Sequence, residues 1–190
     1  MKEEKPGSVR KDMVDLIREK EFLGREFLTW LWFRSDISGG VVTDLDGVDI
    51  AVSFERFIML ESGEGESGES VTCRGLQASL SEGMAALASG KKVSKAHMRL
   101  GTGDYEWKLT ITGSTFDISS LRVPRTVQAG YDEEELSREG RVLERGFMIS
   151  SAIDTLDRLF RTFLSKRLSD DEWQEEKQSL SQWITGRTGG

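Results

Sequence analysis

Chemistry has few places to begin in this chain, because it holds a single histidine, His97, and a single cysteine, Cys73. Zinc sites and Cys/His dyads therefore lack ligands, and a Ser-His-Asp triad would have to be built on His97. Lys95, Arg99 and Lys108 argue against that, since their charge disfavours the imidazolium that a triad base must become. No G-x-S-x-G elbow is present. Gly63-Glu64-Gly65-Glu66-Ser67-Gly68 matches G-x-G-x-x-G letter for letter. A pyrophosphate cradle needs a helix N-terminus after the glycines, however, whereas a strand-like segment follows here and Glu64, Glu66 and Glu69 repel phosphate. Asp44, Asp46, Asp49 and Glu55 stand near EF-hand spacing, but Gly47 falls in the fourth position and not the sixth. An acidic turn fits them better than a Ca²⁺ or Mg²⁺ site. Nothing singles out a carboxylate pair for glycosidase or nuclease chemistry. The chain is read as non-enzymatic, with no catalytic residue, metal or cofactor assigned.

Charge gives a stronger signal. The 190 residues carry 26 Lys+Arg against 33 Asp+Glu, a formal charge of −7, which argues against nucleic acid as a partner. The average conceals a split: residues 41–90 hold two basic and nine acidic residues, whereas residues 91–130 hold seven basic and three acidic. Lys91, Lys92, Lys95, Arg99 and Lys108 lie in that basic island, with Arg122 and Arg125 close behind, a set suited to phosphate contacts without base reading. By charge alone a solvated sheet face, with lysines discouraging edge pairing, accounts for these residues at least as well.

These residues need elements to position them. Composition is that of one soluble globular domain, 37% hydrophobic and 31% charged, with no apolar run of membrane-spanning length and no apolar stretch in residues 1–10. One cysteine fits a reducing cytoplasm. Residues 1–11 read as a flexible tail, 12–184 as the domain and 185–190 as a second tail. Asp12 is placed to cap a helix running to about Arg34. Its end, with Trp30, Trp32 and Phe33, is apolar all round, which predicts burial in the core or against a second subunit. Val41 to Leu60 alternates as two or three strands around a turn at Asp46-Gly47, Val71 to Arg74 is a short strand, and Ser79 to Ala88 a helix ended by Gly90.

Lys91–Leu100 and Tyr105–Thr112 both alternate and predict a hairpin joined by the four residues Gly101 to Asp104. Pairing Leu100 with Tyr105 sets Met98 opposite Trp107 on one face and Arg99 opposite Glu106 on the other. Thr115 to Val123 reads as another strand, ended by Pro124. From Asp132 to Leu168 the apolar residues Val142, Ile149, Leu156 and Phe163, with Ile153 and Phe160, predict a long amphipathic helix. Asp170 is placed to cap a last helix ending near Ile184. The fold class is α+β, an antiparallel sheet with flanking helices.

This order of features resembles the C-terminal half of the recombination-associated RdgC family of bacterial DNA-binding proteins. The resemblance is carried by Phe57-Ile58-Met59-Leu60-Glu61-Ser62-Gly63, by Leu80-Ser81-Glu82 opening a short helix, and by Gly90-Lys91-Lys92-Val93-Ser94-Lys95-Ala96 leading into the hairpin. Phe147-Met148-Ile149 through Leu159, and the opening Phe22 to Trp32, are similar to segments of that group. It implies a non-enzymatic, cytoplasmic, nucleoid-associated protein that binds duplex DNA nonspecifically as a dimer and limits recombinase access to DNA. Only Lys91, Lys92 and Lys95 lie on a matching motif; Arg99, Lys108, Arg122 and Arg125 join them by position and charge. Chains of that family are considerably longer, so ring closure around DNA is not carried over. Two other classes remain in play. One is an acidic protein–protein interaction module without DNA binding, and the other a hydrolase using unrecognised carboxylates.

Overall fold

The computed structural model describes residues 22–62, 69–75, 78–124 and 138–188. In chain order the elements are α1 (Phe22–Ile37), β1 (Val41–Thr43), β2 (Asp49–Glu61), β3 (Ser70–Arg74), α2 (Ala78–Ala88), β4 (Lys92–Thr102), β5 (Tyr105–Thr112), β6 (Ile118–Arg122), α3 (Arg138–Leu168) and α4 (Asp170–Thr188). The six strands form one antiparallel sheet in the order β1-β2-β4-β5-β6, with β3 paired to β2 as well. β1 and β3 share one edge of the long β2, pairing with Asp49–Ala51 and Phe57–Glu61 respectively. The expected helix start at Asp12, both expected ends of the chain before residue 22 and after 188, and Arg125 lie outside the described residues.

Helix ends follow their sequence signals. Gly39 and Gly40 take φ values of 69° and 92°, and the Gly40 N–H returns to the Ser35 carbonyl at 2.7 Å. Gly90, at φ 88°, donates to Leu87, and Lys91 donates to Ala86, the pair of bonds that closes a helix in a left-handed residue. At the start of α4 the cap is Ser169, not Asp170: the Ser169 carbonyl accepts the Trp173 N–H at 2.8 Å and Asp170 already lies within the helix. That helix runs to Thr188, beyond the expected end at Ile184, so Thr185–Thr188 are helical and not a loose tail.

The hairpin register differs from expectation by two residues. Leu100 pairs with Trp107, Met98 with Leu109, Ala96 with Ile111 and Thr102 with Tyr105, leaving only Gly103-Asp104 in the turn. A two-residue loop with a left-handed first residue matches the twist of the strands, and Gly103 supplies φ 54°. Since the slip is even, every side chain keeps its face. β2 holds its alternation by the same parity. Two extra residues sit between Phe54, opposite Met98, and Ile58, opposite Ala96, with Arg56 at φ 61°, so Ile50, Val52, Ile58 and Leu60 all stay on the apolar side. β6 is shorter than expected because Phe116, at φ 58°, turns the chain before Ile118.

All four helices join one apolar cluster with that side of the sheet. α1 packs on β4, and α3 and α4 pack on α1. Trp30, Trp32 and Phe33 are buried within the chain: Trp30 meets Phe163, while Trp32 and Phe33 meet Trp183. They are core residues and are not available as a subunit interface. Gly24 lies against the backbone of Gly113, where no side chain fits. Ion pairs join the helices to one another and to the first turn. Buried Glu176 of α4 accepts from Arg34 and from the Trp30 Nε1–H at 3.3 Å, and Arg167 reaches Glu26 at 3.0 Å. Among the described residues no helix is long and apolar enough to cross a membrane.

The long helix departs from its predicted face. Leu156, Phe160 and Phe163 are buried, together with Met148, Ala152 and Leu159, whereas Val142, Ile149 and Ile153 are exposed. The N-terminal half of α3 is seated on the core by Met148, whose carbonyl accepts the Trp107 Nε1–H at 3.0 Å, and by Ala152, while Val142, Ile149 and Ile153 of the same half are left uncovered by the described residues.

Candidate nucleic-acid interface

Strand pairing assembles the polar face of the sheet in rows. Ser53 of β2 pairs with Arg99 of β4, Arg99 with Lys108 of β5, and Lys108 with Arg122 of β6. Three cations thus stand abreast on adjacent strands about 4.8 Å apart, an arrangement that repels unless carboxylates lie between them. Glu55 and Glu106 take that place. Arg99 bonds Glu55 and reaches Glu106 at 3.2 Å, while Lys108 Nζ lies 3.8 Å from Glu55 and 4.0 Å from Glu106. Hydrogen bonding to Glu106, reinforced by Glu55 against partial burial, pushes the Arg99 guanidinium pKa upward.

The next row holds His97, opposite Thr110, with Ser119 beyond. His97 is only 6% exposed, its ring lies 6.3 Å from that of Phe57, and its Nδ1 finds no hydrogen-bond partner. Burial lowers its pKa first, then the charge of Arg56; Glu55 opposes this, and Lys108 and Arg122 add to it. The imidazole is therefore neutral near pH 7 and sits in a field that three cations and one carboxylate create. Lys95 and the exposed Arg122 form no ion pair with a carboxylate among the described residues.

The predicted island is not one patch. Lys95, Arg99, Lys108 and Arg122 share the polar face, but Lys91 and Lys92 do not join them. Lys91 follows the α2 cap and bonds Glu69 at 3.1 Å, with its side chain largely buried. Lys92 bonds Glu26 of α1 at 2.9 Å, beside the Arg167 that uses the other oxygen of the same carboxylate. Both lysines are satisfied by the helical layer and the β2–β3 loop end. The face gains instead Arg56, Glu55 and Phe57. Ser53 was legible as part of the polar half of the β2 alternation, but the two-residue bulge that places Arg56 within electrostatic reach of His97 carries no glycine to announce it.

Other candidate chemistry resolves into structure. Asp44 is buried; its Oδ1 accepts the N–H groups of Asp46 and Val48 at 2.9 and 2.8 Å, and its Oδ2 accepts Arg158 Nε at 2.6 Å. Burial raises its pKa, but the Val48 and Arg158 bonds outweigh that and leave it lowered. This carboxylate is a turn lock tied to α3. Cys73 is buried, and burial followed by the charge of Glu82 raises its thiol pKa, so it is an unreactive core residue. Among the described residues no three His, Cys, Asp or Glu side chains group to hold a metal ion. No protein-family model matches the chain, and no curated protein or solved structure proved similar to it.

Proposed function

We propose that this chain is a non-enzymatic protein that binds duplex DNA with little sequence preference, as a homodimer, through the polar face of its sheet. In this reading it modulates DNA recombination by limiting access of a recombinase to DNA, in the cytoplasm at the nucleoid. The observation that supports it is the cation excess of that face: Arg56, Lys95, Arg99, Lys108 and Arg122 surround His97 and its row, against Glu55 and Glu106. A flat, polar, cationic sheet face suits backbone contacts that carry no base information. Phosphates would meet Lys95, Arg122 and Arg56 directly and would compete with Glu55 and Glu106 for Arg99 and Lys108.

The test is a duplex titration by fluorescence anisotropy at several salt concentrations, with two unrelated sequences. Binding should be equal for both sequences. Lys95→Ala and Arg122→Ala each take one cation away from the phosphates, so each should make the slope of log K against log salt shallower by about 0.9. Lys91→Ala with Lys92→Ala should leave the slope nearly unchanged, because Glu69 and Glu26 already occupy those lysines. An unchanged slope in the Lys95→Ala/Arg122→Ala protein overturns the assignment of the face.

A second reading, an acidic protein–protein interaction module without DNA binding, is favoured by the carboxylates that already engage Arg99 and Lys108. No duplex binding by the wild-type chain at about 50 mM salt, where phosphate contacts are strong, would select it.

A further inference from the structure

A carboxylate stands at the middle of the cationic face. The bulge in β2 sets Glu55, Arg56 and Phe57 against His97 alone, and Arg56 takes φ 61° there, a left-handed conformation that residues other than glycine seldom adopt. Bulges of this kind re-aim a side chain. Here the Glu55 carboxylate lies across the face: one oxygen bonds Arg99 on β4, and the other comes 3.8 Å from Lys108 on β5, two strands from its own. Its side chain is 15% exposed, against 41% for Arg99 and 37% for Lys108, so it is seated among its cations. Glu106, 50% exposed, is the rim carboxylate of the same group.

We infer that Glu55 occupies a phosphate subsite formed by Arg99 and Lys108, and acts there as a tethered competitor that closes the subsite to free anions and yields it to a polyanion. The inference rests on the phosphate-binding part of the reading above and names one subsite within it. Two oxygens shared between a guanidinium and an ammonium are placed as two oxygens of a phosphate are held. Tethering sets the strength of the competition. A group on the same chain acts at a local concentration on the millimolar scale, so free phosphate below that level leaves Glu55 in place. A nucleic-acid backbone escapes the limit. Lys95 and Arg122, which have no carboxylate partner among the described residues, take the first phosphates, and the next one along the strand then reaches Arg99 and Lys108 as a tethered ligand too. The buried carboxylates Asp44 and Glu176 hold their cations between packed elements, where no phosphate can follow. Glu55 differs because the cations it holds are open to solvent.

The experiment titrates inorganic phosphate and, separately, duplex DNA into the full chain at low salt, as wild type, Glu55→Gln, Glu55→Ser and Glu172→Gln. Phosphate is read from the imidazole resonances of His97, the one histidine, and duplex from anisotropy. Glu172→Gln removes the same charge from an exposed carboxylate of α4 and so controls for net charge. Wild type and Glu172→Gln should show no shift below about 1 mM phosphate, whereas both Glu55 variants should bind it at least about 10-fold more tightly, the worth of a charge-assisted contact set free. Both should also bind duplex at least about 10-fold more tightly, with a slope of log K against log salt steeper by about 0.9 for each of Arg99 and Lys108 released. Phosphate bound no better by the Glu55 variants than by the wild type overturns the subsite, whatever the duplex result. Equal duplex affinity in the wild type and both Glu55 variants overturns Glu55 as a competitor and leaves the DNA reading standing. Tighter phosphate binding by the Glu55 variants, with no duplex binding by any of the four proteins, keeps the subsite and overturns the DNA reading.

Discussion

His97 allows a test of the candidate face that no other residue can blur, since it is the only histidine in the chain. Its ring is buried on the polar side of the sheet, with Arg56, Lys108 and Arg122 pushing its proton off and Glu55 drawing it back. Its folded pKa therefore lies below the ordinary histidine value of 6.5. Between those two values the unfolded chain binds a proton that the folded chain refuses, so stability falls as pH falls. One proton sets the ceiling of that slope at about 1.4 kcal/mol per pH unit. Above the ordinary histidine value the contribution is flat, and below the folded pKa the loss is complete. Urea unfolding at half-unit steps through this window should show the slope in the wild type and a level line in His97→Gln, whose amide cannot titrate. The carboxylates are common to both proteins, so the difference between the two slopes isolates His97. The same group reports binding: a phosphate placed over the Arg99–Lys108–Arg122 row raises the His97 pKa, read from its imidazole proton resonances with and without duplex. Equal slopes in wild type and His97→Gln would refute the cation field that defines the face.

Two further predictions concern the scaffold. Glu176→Ala removes the acceptor of buried Trp30 Nε1–H and of Arg34 and leaves Lys166, 3.4 Å away, without it; the loss should be about 3 kcal/mol, or roughly 6–10 °C in Tm by thermal unfolding. Gly24→Ala drives a methyl into the Gly113 carbonyl and within 2.7 Å of Phe116, so it should cost about 3 kcal/mol in urea unfolding, whereas Gly186→Ala, with open space around it in α4, should be neutral or stabilising by up to about 1 kcal/mol.

What the sequence revealed and what it concealed divide along a physical line. Alternation in Ala96, Met98, Leu100, Trp107, Leu109 and Ile111 assigned both faces of the hairpin, because parity depends on local geometry alone. The register was off by two because alternation is blind to an even slip; the turn chemistry of Gly103-Asp104 was the better guide. Periodicity identified α3 but not which of its apolar residues are covered, since Val142 and Phe163 share one heptad position, yet Val142 is exposed and Phe163 packs on Phe27 of α1. The all-round apolar end of α1 correctly implied burial, and the three helices around it supply that burial within one chain. Of the basic island, Lys95, Arg99, Lys108 and Arg122 came together because strand pairing is close to local. Lys91 and Lys92 left it because Glu69 and Glu26 reach them from 22 and 66 residues away.

Those long-range pairs set the helical layer apart from the polar face of the sheet. Glu26 holds Lys92 and Arg167, Asp36 holds Arg187, Asp44 holds Arg158, and Glu176 holds Arg34 and Lys166. These carboxylates stand at seams between α1, α3, α4 and the first turn, each facing cations from distant elements. Counting charges along the chain treats all of them as free, whereas the structure has already matched them in the helical layer, where removing one partner would strand the other's charge in a poor solvent. The polar face of the sheet has no such matching element above it among the described residues. There Glu55 and Glu106 are shared among Arg99 and Lys108, and Lys95 and Arg122 face outward. An anionic partner approaching this face meets Arg56, Lys95, Arg99, Lys108 and Arg122 against Glu55 and Glu106, a local excess of positive charge that the net charge of −7, summed over the whole chain, does not report.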